Sequence, residues 1–128
     1  MSSHLDGFRI EREISGRRGR LALLVRESPA ALLVRAEGFV DPALLRADLA
    51  FAEEFGRAHP EGWDYVADTS AVRAAHPLNL LLLRRIGRLP YLRRYVVIAP
   101  SRAVRMLILA SSLLVRPDVV LRSIEDLG

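Results

Sequence analysis

The chain contains no cysteine, no lysine and no glutamine, and aromatic side chains make up only 6% of its 128 residues. Without cysteine there can be no disulfide, no thiolate nucleophile and no thiolate metal ligand, which points to a reducing compartment and a cytoplasmic location. The shortage of aromatics removes the stacking platforms of a single-strand nucleic-acid binder, and 15 acids interspersed among 19 arginines leave a net charge of only +4. The arginines are scattered, which fits a GC-rich coding bias better than a charged partner. No apolar run is long enough to cross a bilayer, and the first residues lack the basic-then-apolar layout of a signal peptide. Residues 1–6 read as a disordered tail. There is no repeat and no linker, and 51% hydrophobic content can fill one core, so residues 1–128 read as a single domain.

What is present reads in two halves. Over residues 7–15, Phe8, Ile10 and Ile14 alternate with Arg9, Glu11 and Glu13, the period of a half-exposed strand. Gly16-Arg17-Arg18-Gly19 is a turn, a strand returns over residues 21–26, Pro29 ends it, and residues 31–36 make a third. That is an antiparallel meander. Asp41-Pro42 then pairs an N-cap acceptor with proline at the first helical position. On the helix to Ala58, Leu44, Leu45, Leu49, Phe51, Ala52 and Phe55 share one face, with Arg46, Glu53 and Arg57 opposite. Asp48 falls inside the apolar arc, where a buried carboxylate calls for an arginine partner. A strand over residues 63–68 ends in Asp68-Thr69-Ser70, and prolines 77 and 90 bound a second helix, residues 77–89. Residues 94–99 read as a buried central strand. A third helix over residues 101–116, a short strand over 119–121 and a helical turn over 123–127 complete the chain. The fold class is α/β, a mixed sheet with an antiparallel start followed by βαβαβα units and right-handed crossovers.

Four segments carry a resemblance in this order. They are Gly38-Phe39-Val40-Asp41-Pro42, Tyr65-Val66-Ala67-Asp68-Thr69-Ser70, Arg94-Tyr95-Val96-Val97-Ile98-Ala99-Pro100 and Val119-Val120-Leu121-Arg122-Ser123-Ile124-Glu125-Asp126-Leu127. Together they are similar to the SpoIIAA-like, or STAS/CRAL-TRIO-like, small bacterial domains of the STAS superfamily, over nearly the whole chain. The resemblance implies a mixed sheet with helices mostly on one face. It implies no reaction, since members are regulators or partner-binding modules. In the anti-sigma-factor antagonists of this superfamily an Asp-Ser-Ser-Gly motif carries a phosphorylated hydroxyl at a helix start. Asp68-Thr69-Ser70-Ala71 matches three of those positions and puts Ser70 on the phosphoacceptor. Ala71 replaces the glycine, and residues 72–76 separate the motif from the helix that Pro77 opens.

Read for chemistry, Asp68, Thr69 and Ser70 stand where a strand meets a loop, the edge at which α/β sheets bind ligands. They can receive a phosphate or a partner, or simply close the loop as an Asx or Ser/Thr turn. Ser101 and Arg102, after the neighbouring strand, face the same crevice, and Arg73 adds charge to an anion-friendly rim. Ser101 is equally well placed as an N-cap. The three histidines have no metal-ligand spacing, so no metal is assigned. Ser70, His76 and Asp68 lack a nucleophile elbow and an oxyanion hole, and the glycines at 16 and 19 form no phosphate loop, so no catalytic residue or cofactor is assigned either.

The helices speak to partners. On the second, Leu78, Leu82, Leu83, Ile86 and Leu89 form the core stripe. Leu80 and Leu81 fall beside Arg84, Arg85 and Arg88, as a contact surface would, though isolated exposed leucines are ordinary. The third helix is apolar almost all round, leaving Ala103, Met106, Ala110 and Leu113 to be covered by a neighbouring helix, a second subunit or an apolar ligand. The expectation is a non-catalytic STAS-like interaction or regulatory module, a cytoplasmic homodimer. The alternative is a small apolar-ligand or lipid-binding domain, since the related CRAL-TRIO fold houses lipids.

Overall fold

In the computed structural model, which describes residues 7–76, 78–100, 102 and 119–121, six strands stand side by side in their order along the chain. β1 (Arg9–Ser15), β2 (Gly19–Glu27) and β3 (Ala30–Val40) form the antiparallel meander. β4 (Trp63–Ala75), β5 (Leu92–Ile98) and β6 (Val119–Leu121) continue the sheet in parallel with β3. α1 (Pro42–Arg57) joins β3 to β4 and α2 (Asn79–Ile86) joins β4 to β5. Each crossover moves one strand along.

Both helices pack on one face of the sheet. Leu44, Leu45, Leu49, Ala52 and Phe55 of α1 and Leu82 and Ile86 of α2 share a core cluster with Leu32, Trp63, Tyr65, Tyr95 and Val97. On the opposite face Leu24, Leu33, Val66, Val96 and Ile98 form a second buried cluster. The middle strands are therefore buried on both faces, which is why 95–98 read as continuous Tyr-Val-Val-Ile rather than as alternation. Asp41 starts α1 as its sequence implies, with its carboxylate accepting the Leu44 amide at 2.9 Å ahead of proline. At the other end of α1, Gly56 lies under the fully buried Trp63 ring. A Cβ there would come within 2.9 Å of the indole nitrogen, which itself donates to the Pro90 carbonyl at 3.0 Å.

The elements differ from the sequence expectation chiefly in length. β3 runs on to Val40, and β4 runs through Asp68-Thr69-Ser70 to Ala75, pairing with β3 as far as Val40↔Ala75. Aspartate and serine disfavour strands locally, but a long neighbouring strand supplies hydrogen-bond partners that outweigh this. Two register shifts, at Arg35/Glu37 and Gly38/Phe39, absorb the irregularity. β5 follows β4 only to Asp68↔Ile98, so, among the described residues, 69–75 pair on one side alone. α2 is shorter than the span between the two prolines, and Leu78, expected in its core stripe, is 53% exposed. The predicted third helix, the helical turn at 123–127 and the tail at 1–6 lie outside the described residues. No helix among the described residues is long and apolar enough to cross a membrane.

Candidate functional site

The Asp68-Thr69-Ser70 group sits inside β4, not at a strand–loop junction. Its hydroxyls are already engaged. Thr69 Oγ1 donates to the Ile98 carbonyl at 2.7 Å, closing the end of β5 where ladder pairing stops. Ser70 donates to Asp68 Oδ1 twice, from its amide at 3.0 Å and from its hydroxyl at 2.5 Å, while its side chain remains exposed. This is the Asx arrangement, built into a bulged strand instead of a loop. Asp68 also approaches Arg35, at 3.9 Å. The phosphoacceptor geometry of a hydroxyl at a helix start is absent here, because the strand continues for five residues beyond Ser70.

The expected crevice does not gather its other members. Arg73 is exposed on the projecting part of β4 and lines a groove with the β1–β2 turn. Arg102 is exposed, and Ser101 lies outside the described residues. The candidate interface divides similarly. Leu81 is 52% exposed, as expected, and Arg84 is half-buried. The Leu80 side chain and Ala103, Met106, Ala110 and Leu113 lie outside the described residues. Leu81 and Arg85 are exposed on α2, and Leu78, just before it, and Arg88, just after it, are exposed as well. Tyr91, 53% exposed, follows directly.

Several polar residues that sequence reasoning assigned differently or passed over are held in the interior. Asp48 is fully buried, and its partner is the Tyr65 hydroxyl, not an arginine. Its position in the apolar arc signalled burial correctly. The partner could not be read because Tyr65 arrives from β4, across the helix–sheet interface. Burial pushes the Asp48 carboxyl up to about 7, against the smaller lowering effect of the Tyr65 hydrogen bond. The Tyr65 and Tyr95 rings meet edge to face at 5.2 Å, and burial pushes both phenols up. His59 bridges the Phe55 carbonyl at 2.7 Å and the Glu27 carboxylate at 2.8 Å. Both partners accept, so these contacts favour the imidazolium, which donates from both ring nitrogens. The one asparagine, Asn79, is buried and donates to the Val40 carbonyl at 2.8 Å, tying α2 to the end of β3. Among the described residues no cluster of histidine and carboxylate side chains could hold a metal ion.

The fold thus defines an α/β domain with a mixed sheet and its helices on one face. No family model matches the chain, and neither a curated protein nor a solved structure matches it significantly.

Proposed function

We propose that this chain is a non-catalytic, STAS-like binding module that docks a protein partner in the cytoplasm and pairs with a second copy of itself. The observation that carries the reading is the exposed surface of α2. Leu81, more than half exposed, and Arg85 stand on a helix whose other side is packed into the core, with exposed Leu78 and Arg88 just beyond its two ends. Leucine offers surface that gains from leaving water, and arginine recognises carboxylates without needing full burial. A mixed sheet with both described helices on one face supports the STAS-like reading. The polar candidates favour binding over chemistry, because Thr69 is committed to Ile98 and Asp48 is sealed from solvent. Ser70 fits a docking role better than a phosphoacceptor role, since a phosphoryl group there would stand against the Asp68 carboxylate.

Sedimentation of the full chain tests this. The wild type is expected as a dimer at high micromolar concentration. Leu81→Glu should give a folded monomer, as should the pair Met106→Glu and Leu113→Glu on the predicted third helix. A monomeric wild type would remove the homodimer. Release of a stoichiometric apolar compound on organic extraction would replace the interaction module with an apolar-ligand carrier.

A further inference from the structure

The turn between β1 and β2 stands beside the carboxyl ends of β3 and β4, and an open groove of about 470 Å³ lies there. That volume is in the range of small-molecule sites. Three of its lining residues are arginines, Arg18, Arg20 and Arg73, and Glu37 is its single acid. Glu37 is spoken for. It pairs with Arg20, whose guanidinium hydrogen bond holds the carboxyl below its usual range, so the two charges cancel. Arg18 and Arg73 have no carboxylate partner among the described residues. The groove therefore keeps two guanidinium charges that no carboxylate of the described residues pairs with.

Its shape is held by main chain. A Cβ at Gly19 would lie 2.2 Å from the Phe39 carbonyl oxygen and 2.6 Å from that of Glu37. Gly38 has φ +72°, and a Cβ there would lie 2.4 Å from the Arg18 carbonyl oxygen. Turn and strand touch backbone to backbone, so no side chain fits between them. Arg18, carried on the turn, and Arg73, carried on β4, therefore line one opening whose backbone is held close on one side. The opening lies at the edge of the parallel strands where α/β sheets take ligands.

We propose that this groove binds a small phosphate ester or diphosphate, gripped between the guanidinium groups of Arg18 and Arg73. A phosphate group offers two planar forks three or more oxygens and more than one negative charge, whereas a single carboxylate offers two oxygens and one charge. The site is separate from the α2 surface, so it stands or falls independently of the partner-binding proposal.

Titration of the full chain with inorganic pyrophosphate at low salt, followed by amide chemical shifts, tests it. The expected result is saturable binding with shifts confined to residues 15–20, 37–38 and 71–73. Arg73→Ala should weaken binding about ten- to a hundred-fold, the value of a charge-assisted hydrogen-bond pair. Arg73→Lys, which keeps the charge but loses the fork, should fall between. Both side chains are exposed, so circular dichroism should be unchanged in every variant. Leu81→Glu should leave pyrophosphate binding intact. The proposal is overturned by unsaturable shifts up to about 10 mM, a range weaker than millimolar affinity. It is equally overturned if the double variant Arg18→Ala/Arg73→Ala binds as well as the wild type, or if citrate binds as tightly as pyrophosphate.

Discussion

Asp48, midway along α1, and His59, just past its end, both tie the stability of the domain to pH in the same direction. Asp48 has a folded pKa of about 7 against an ordinary value of 3.8. Between those values the folded state keeps a proton that the unfolded state has released. Stability must therefore fall as pH rises from about 4 to 7 and level off above, by on the order of 4 kcal/mol at most. Asp48→Asn preserves an acceptor for Tyr65 and removes the titration. Urea unfolding of that variant should show no slope over this window and a higher midpoint than the wild type at pH 8. A wild type equally stable at pH 4.5 and pH 7.5 would contradict the burial argument.

His59 acts at slightly higher pH. Burial opposes its charge, but the Phe55 carbonyl and Glu27 carboxylate outweigh that and raise its pKa above 6.5. Its contribution is complete below 6.5 and disappears as pH rises through the folded pKa. The imidazole should titrate above its usual range by NMR, and Glu27→Gln should bring it down. Ser70 behaves differently. It is exposed and bonds only within its own turn, so Ser70→Ala should cost about 1 kcal/mol or less, measured by thermal melting. A collapse of the fold would mark it as structural.

At the scale of elements, β4 divides at Asp68. Before it the strand is paired on both sides, and after it, among the described residues, it pairs with β3 alone. Hydrogen exchange should be slow through residues 63–68 and faster over 70–75, because one-sided pairing opens at lower cost. Uniform protection along all 13 residues would be incompatible with this pairing. The β1–β2 turn is the other vulnerable element. Gly19→Ala forces a methyl group into two carbonyl oxygens and should destabilise by more than about 2 kcal/mol, an effect seen as a lower urea midpoint.

Across the whole molecule the arginines serve in ordinary solvated ways. Arg9 pairs with Glu11 at 3.3 Å and with Glu27 at 3.2 Å, and Arg93 with Asp64 at 3.5 Å. Arg26 and Arg12 lie over the rings of Phe8 and Phe51. Exposed pairs of this kind are screened by salt and contribute little, which supports reading the arginine excess as compositional.

Much of this was legible along the chain, for identifiable reasons. The turn at 16–19, the Asp41 cap, the apolar face of α1 and the short strand at 119–121 depend on neighbours within a few residues, and local chemistry decides them. Asp48 was marked for burial by its place in that face. What the chain alone determined is the alternation of elements and hence the α/β class, because periodicity and caps are local properties. Tertiary structure decided the extension of β4 through Asp-Thr-Ser, the outward turn of Leu78, the Tyr65 partner of Asp48 and the facing of Arg18 and Arg73. The Tyr65 partner of Asp48 lies 17 positions away and the β3 partners of β4 farther still, brought near only when the helices fold back on the sheet. Local sequence carries no record of which distant side chain completes a contact.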